Sequence, residues 1–440
     1  MNNVTEVNSL KPATNYRWTV VALLFFATTI NYIDRQVLGL LKPFLQQDLN
    51  WTETDYSRIV MAFTASYALG LLIFGNVIDR IGTKIGYTIS IIVWSLAAMG
   101  HALVKSTFGF GVARAALGIG ESGNFPAAIK AVAEWFPKRE RAFATGIFNS
   151  GANIGAILAP ASVYWLQQHY GWQSAFVVTG AIGFAWLAAW LIVYKLPSKH
   201  KKISASELDY INSDTEKGQA ADTSTVPWLK LFRLRQTWVF IVGKFFTDPV
   251  WYFFLFWLPS YFFDKYHVNI AASYGLPIMI VYSATTIGSI GGGYLSSWLI
   301  KHGWPVYKAR KVSFFIFACC VLPIISARFI DNIWVGVGLI SLAAAAHQAW
   351  SANIYTTVSD MFPKRVVSSV IGIGGMAGSV GGILFPMFIG FLLDHYKALG
   401  NINIGYNIIF LICGCAYLVA WVLIHFISPK MKPVQLEANP

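Results

Sequence analysis

The sequence predicts an all-α membrane protein of twelve transmembrane helices, arranged as two parallel six-helix repeats. Three observations predict it: a deficit of charge, a series of long apolar runs and a duplication visible within the chain. The 440 residues are 56% hydrophobic but only 12% charged, with a mean hydropathy of +0.54. A soluble domain carries roughly 25% charged residues, so about half of the usual charge is missing.

The apolar runs account for that deficit. Residues 85–104 and 408–427 each supply the roughly 20 apolar positions a helix needs to cross a bilayer. In chain order the expected spans are 17–41, 55–78, 83–104, 107–133, 141–168, 173–195, 236–263, 271–300, 309–329, 332–359, 366–394 and 404–428. Several exceed one crossing, which permits tilt without fixing it. The runs are continuous rather than alternating, which excludes a β-barrel.

A formal charge of +13 first suggests a nucleic-acid partner, but its placement argues for topology instead. Of the 33 Lys and Arg, 23 fall at the two ends of the chain or in even-numbered loops, 6 in odd-numbered loops and 4 inside spans. By the positive-inside rule both termini are expected in the cytoplasm, with the protein in the inner (plasma) membrane. Residues 1–16 are polar and the first apolar run is long enough to be retained, so no cleaved signal is expected. Cys319, Cys320, Cys413 and Cys415 all fall inside expected spans and read as packing residues, not as disulfides or metal ligands. No cofactor is expected, and nothing in the chain reads as an enzyme: no metal-ligand cluster, nucleophile motif or phosphate loop is present.

Residues 134–160 and 360–386 align without a gap. Phe136, Pro137, Lys138, Arg139, Gly146, Gly155 and Pro160 recur as Phe362, Pro363, Lys364, Arg365, Gly372, Gly381 and Pro386. Both copies open on a basic turn and continue into a glycine-rich helix, so the halves share one orientation. Parallel repeats are a transporter architecture with the substrate site near mid-membrane between the halves. The division expected is 1–195 for the first half, 196–235 for a cytoplasmic linker and 236–440 for the second half. Within the linker, Ser206 ahead of Glu207 and Asp209 marks the start of a short surface helix. Glycines at small-xxx-small spacing in 288–297 and 372–382 allow close helix approach, either as plain packing or as smooth faces on which the halves move.

Charges at bilayer depth cost at least about 2.5–3.5 kcal/mol, so each is a functional candidate with a partner to be found. Asp34 and Arg35 lie in the first span. Arg114 and Glu121, two helical turns apart on one face of the fourth, balance them. One reading makes the four a pair of static ion pairs. The other makes the acids proton carriers, whose affinity is set by desolvation against a neighbouring Arg, and the Args anchors for a carboxylate through paired hydrogen bonds. Lys244 and Asp248 sit four apart on the seventh span and read first as an ion pair, with Lys244 as an anion contact the second reading. Lys130 and Glu134, also four apart, read as structural. Tyr67, Asn149, Asn153, Gln348 and Asn353 are uncharged polar groups suited to sugar hydroxyls. His347 reads as a hydrogen-bonded core histidine or a proton relay. The aromatic run around Trp251 and Tyr252 suits packing or a sugar face.

Residues 75–84, GNVIDRIGTK, resemble the cytoplasmic signature of the major facilitator superfamily, with Gly75, Asp79, Arg80, Gly82 and Lys84 matching. That resemblance implies a gating role for Asp79 and Arg80. The second-half equivalent, 293–303, lacks the Asp-Arg pair. NYIDRQ, the stretch from Arg114 to Pro137, and the seventh span are similar to the anion:cation symporters of that superfamily, the bacterial hexuronate transporters in particular. The resemblance implies Asp34 and Glu121 as protonation sites, Arg35 and Arg114 as substrate or coupling arginines, and Tyr67 and Asn153 in a sugar-acid pocket. Asn153 departs from the galactonate-type pattern, which has Gln. The expected protein is thus a monomeric, bilayer-embedded symporter that couples H+ to a small sugar-acid anion. The alternative is an organic or phosphorylated anion antiporter of the same superfamily.

Overall fold

The computed structural model describes residues 14–214, 226–266 and 276–435, so linker positions 215–225 and the start of the eighth expected span lie outside the described residues. The first half contains α1 (Tyr16–Leu49), α2 (Glu53–Ile81), α3 (Thr83–Gly100), α4 (Thr107–Glu121), α5 (Asn124–Trp135), α6 (Lys138–Tyr170) and α7 (Trp172–Val193). Two short helices follow, α8 (Ala205–Ile211) and α9 (Trp228–Leu231). The second half contains α10 (Arg235–Phe256), α11 (Leu258–Tyr266), α12 (Leu276–Lys301), α13 (Val306–Val321), α14 (Ile333–Met361), α15 (Val367–Ala398) and α16 (Ile402–Ile427).

Among the described residues, ten helices are long and apolar enough to cross a membrane. The two remaining expected spans, 17–41 and 107–133, are helical but differ in kind. The first lies on α1, which carries Asp34 and Arg35. The second is split into α4 and α5 at Ser122 and Gly123. Between them they hold Asp34, Arg35, Arg114 and Glu121.

The halves meet chiefly through α6 against α12 and α2 against α15. Glycine makes both contacts possible. A Cβ on Gly372 would stand 2.1 Å from the Leu71 carbonyl oxygen, and one on Gly146 would stand 2.3 Å from that of Ser289. These are the same position in the two copies of the repeat. Gly75 and Gly293 form a second such couple, against Ser368 O at 2.5 Å and Ala142 O at 2.2 Å. The duplicated glycines therefore serve the seam between the halves.

Charged groups lock the same end, where the linker attaches. Asp79 receives Lys130 Nζ at 2.7 Å on Oδ1 and the backbone N–H groups of Ser368 and Ser369 at 3.2 and 2.6 Å. It thereby caps α15 from across the seam, where the local cap residue Val366 offers no side chain. On the other side of the seam, Ser297 Oγ accepts from Phe143 N at 3.2 Å. Asp360 holds Arg310 Nε at 2.9 Å and meets Arg141 Nη1 at 3.7 Å. Arg80, expected beside Asp79 in the gate, is exposed and makes no ion pair among the described residues. The Lys130–Glu134 pairing expected from spacing does not form. Lys130 turns to Asp79, while Glu134 accepts from Thr83 and Tyr194.

The linker helix α8 starts two residues earlier than its sequence suggested, with Ser204 rather than Ser206 capping Glu207 N. Glu207 is fully buried and accepts from Thr14 Oγ1 at 2.5 Å, Tyr16 N at 3.2 Å, and Arg17 N and Nη1 at 3.1 and 3.2 Å. It caps α1, whose own Asn15 gives no side-chain cap. Beside it the Tyr210 hydroxyl donates to Glu140, and burial followed by that carboxylate pushes its pKa up to about 12. Replacing Glu207 with Ala leaves these donors and the Arg17 charge poorly satisfied, a loss of about 1–3 kcal/mol. Thermal unfolding in detergent checks this, and an unchanged midpoint would show that the linker is not part of the folded unit.

Candidate substrate site

Above the closed seam, a cavity opens between the halves. From the first half it is lined by Tyr32, Arg35, Tyr67, Phe125 and Asn149; from the second by Lys244, Asp248, Trp251, Tyr252, His347, Gln348 and Tyr355. Several aromatic walls and a few convergent polar groups are the usual make-up of a small-molecule site.

Arg35 is positioned by three rings. Its guanidinium lies 4.8, 5.2 and 4.7 Å from the ring centres of Tyr32, Phe63 and Tyr67. Behind it, Nε and Nη2 both stand 2.9 Å from Glu121 Oε2. The fourth helix brings Glu121 this deep because Gly118 lies on the Phe63 carbonyl and Gly120 on the Trp94 backbone, places where a Cβ would approach to 2.6 and 2.5 Å. The second Glu121 oxygen is buried and has no hydrogen-bond partner. Arg35 keeps 23% of its side chain accessible, against none for Glu121. The arginine faces the cavity and the acid stands behind it.

Asp34 and Arg114 also lie behind the lining. The Asp34 carboxylate is buried beside Thr179 and near Arg114 and makes no ion pair among the described residues, so its ionised form carries a desolvation cost. Among the described residues Arg114 pairs with no acid; Nη1 reaches the Arg35 carbonyl at 3.5 Å, and Nε and Nη2 are buried without hydrogen-bond partners there. Of the two ion pairs expected from the four charges, the structure contains one, Arg35 with Glu121.

The uncharged candidates divide. Tyr67, Asn149 and Gln348 line the cavity. Asn149 Nδ2 donates to Gln348 Oε1 at 2.8 Å and to Ser289 Oγ at 3.0 Å, so its amide bridges the halves at the cavity floor. Asn153 is buried in the first half outside the lining. Asn353 is not at the cavity either. Its amide donates to Gly292 O and Ala349 O, both at 2.9 Å, and its oxygen takes Arg310 Nη1 at 3.4 Å, which commits it to the seam. His347 is the hydrogen-bonded histidine of the first expectation, and it also stands in the cavity lining. It is hydrogen-bonded to the Tyr417 hydroxyl, and its ring lies parallel to Trp251, 5.1 Å away, at the cavity wall.

Lys244 and Asp248 do pair, Nζ to Oδ1 at 2.8 Å, with the Tyr355 hydroxyl 3.1 Å from the same nitrogen. Both stand in the lining, which spacing alone did not indicate. Tyr355 went unnoticed in the sequence because an aromatic residue in an apolar run carries no signal. The Arg141–Asp360–Arg310 cluster did leave one: Asp360 occupies the repeat position of Glu134, an acid ahead of Phe-Pro-Lys-Arg in both copies.

Two helical halves that close at one end over a polar, aromatic-walled cavity define a polytopic membrane carrier. The chain belongs to the Major Facilitator Superfamily, whose family model matches residues 24–386. It is similar to the hexuronate transporter of Escherichia coli (strain K12), at 33% identity over 383 residues covering 86% of this chain and 88% of that one. It is also similar to the galacturonate transporter of Dickeya chrysanthemi, at 37% identity over 283 residues covering 63% and 81%. Among solved structures, the proton:xylose symporter XylE superposes with a TM-score of 0.72 at 14% identity, covering 95% of this chain and 97% of that one. The fucose:proton symporter FucP of E. coli superposes at 0.68 with 17% identity, covering 94% and 100%. At such identities these two structures bear on the fold alone.

Proposed function

We propose that this chain is a proton-coupled symporter importing a small sugar-acid anion, a hexuronate such as galacturonate or glucuronate or a related aldonate, by alternating access. The observation that carries the reading is Arg35, which faces the cavity while its guanidinium is held by the fully buried Glu121. Protonation of Glu121 frees the guanidinium, and the substrate carboxylate takes the vacated hydrogen bonds in the paired geometry that arginine favours. Asp34, buried behind the lining without an ion-pair partner among the described residues, is the second proton carrier in this scheme. Tyr67, Asn149 and Gln348 meet the hydroxyls, and the rings of the walls meet the sugar face. The names of the relatives support the substrate class. In this reading the protein works as a monomer in the cell inner membrane, with both termini and the closed seam on the cytoplasmic side.

In proteoliposomes, Glu121→Gln is expected to abolish accumulation driven by a proton gradient while leaving substrate counterflow. Accumulation at the wild-type rate would remove Glu121 from the coupling. Wild-type uptake that survives a protonophore and requires a counter-anion inside would instead identify an anion antiporter.

A further inference from the structure

The cavity contains an ion pair that the proposed cycle does not use. Lys244 and Asp248 sit one turn apart on α10, and both are in the lining. A buried pair of this kind seldom repays its desolvation as stability, and hydrophobic neighbours of similar size would pack as well. Asp248 is also built in. A Cβ on Gly378 of α15 would stand 2.2 Å from Asp248 Oδ2, so the glycine clears the space the carboxylate occupies. Its side chain retains 18% accessibility, against 6% for Lys244. The acid thus lies on the cavity side of the pair and covers the lysine.

Charge bookkeeping gives this arrangement a consequence. The lining offers two cations, Arg35 from the first half and Lys244 from the second. Arg35 is released when Glu121 takes a proton. Lys244 stays neutralised by Asp248, whose own helix carries it. A substrate with one carboxylate matches the single cation made available. A second carboxylate at the far end of a sugar acid would have to displace Asp248 from Lys244, or lie against it as a like charge, and repulsion of that sort is how sites reject competitors.

We infer that Asp248 is a specificity-determining residue: by occupying Lys244 it restricts the site to sugar acids with one carboxylate and excludes the dicarboxylate forms. The inference rests on the sugar-acid reading above. Its test is binding to the purified protein by titration calorimetry, with galacturonate as the monocarboxylate and galactarate as the dicarboxylate. Wild type is expected to prefer galacturonate. Asp248→Asn uncovers Lys244 and is expected to shift the ratio of affinities towards galactarate at least about tenfold, or ~1.4 kcal/mol. Gly378→Ala, which displaces the carboxylate without altering the charge of the protein, is expected to shift it in the same direction. It also serves where the asparagine variant does not fold. The double variant Lys244→Gln/Asp248→Asn is expected to return the ratio to that of wild type. Galacturonate binding with an unchanged ratio in either single variant overturns the inference, as does a wild-type preference for galactarate, and both leave the sugar-acid reading intact. A wild type that binds neither acid removes that reading and the inference together.

Discussion

Exchanging Arg35 for lysine is expected to weaken galacturonate uptake by about one to two orders of magnitude while leaving the fold in place. Two features of the arginine are lost together. The guanidinium presents two parallel N–H groups to a carboxylate, whereas an ammonium is a point charge without that fork. It also lies among Tyr32, Phe63 and Tyr67, at ring distances of 4.8, 5.2 and 4.7 Å, which holds it at the cavity edge before substrate arrives. A charged hydrogen bond contributes about 1.5–3 kcal/mol, and each ~1.4 kcal/mol is a factor of about ten. The measurement is concentration-dependent uptake in proteoliposomes, with thermal unfolding as the control for folding. Wild-type affinity in the lysine variant would show that the carboxylate binds elsewhere.

The other large effect is expected at the seam. Gly372→Leu places a side chain where even a Cβ would come to 2.1 Å of the Leu71 carbonyl oxygen, and backbone cannot yield as a flexible side chain would. Overpacking of this kind costs ~1–3 kcal/mol, all of it charged to the conformation in which α2 and α15 touch. A two-state equilibrium then moves about five- to hundredfold away from that conformation. A cysteine introduced at Ser297, buried in the seam beside Phe143 N, reports on this when the four native cysteines have been replaced. Its labelling by a polar maleimide is expected to accelerate about tenfold or more in the Gly372→Leu background, and transport is expected to fall in parallel. Gly146→Leu, at the repeat-related contact with Ser289, is expected to act in the same direction. Unchanged labelling in both would mean that the seam opens without separating these helices.

The two sites are linked by geometry. The Asn149–Gln348 bridge lies at the cavity floor, and α6 continues from Asn149 back to Gly146 and Lys138, where it meets α12 and Arg310. A substrate that draws the walls together therefore acts on the helices that form the seam.

Several parts of this picture were legible in the chain because they depend on solvent or on local repetition. A run of apolar residues has few options other than a membrane helix or a core, and a glycine recurring at one place in two copies marks a contact that both copies make. Asp34, Arg35, Arg114 and Glu121 stood out because charge at that depth is costly whatever the fold. Partner choice was not legible. Lys130 is four residues from Glu134, which on an isolated helix would favour their pairing, yet Lys130 pairs with Asp79 of α2 while Glu134 is taken by Thr83 and Tyr194. Asn353 and Gln348 are alike in sequence, both amides on one helix five residues apart. Rotation about α14 sends one to the seam and the other to the cavity.

What the sequence by itself determined is the class: a duplicated bundle in a bilayer, with a small set of buried ionisable groups and basic turns at the repeat. Those features follow from transfer free energies and from spacing along one helix. Only the tertiary structure decided that Arg35 and Glu121 pair while Asp34 and Arg114 do not. It likewise decided that Glu207 caps α1 from the linker, and that Lys244 and Asp248 face the cavity. Each depends on how elements far apart in the chain are placed against one another, which spacing along one helix does not specify.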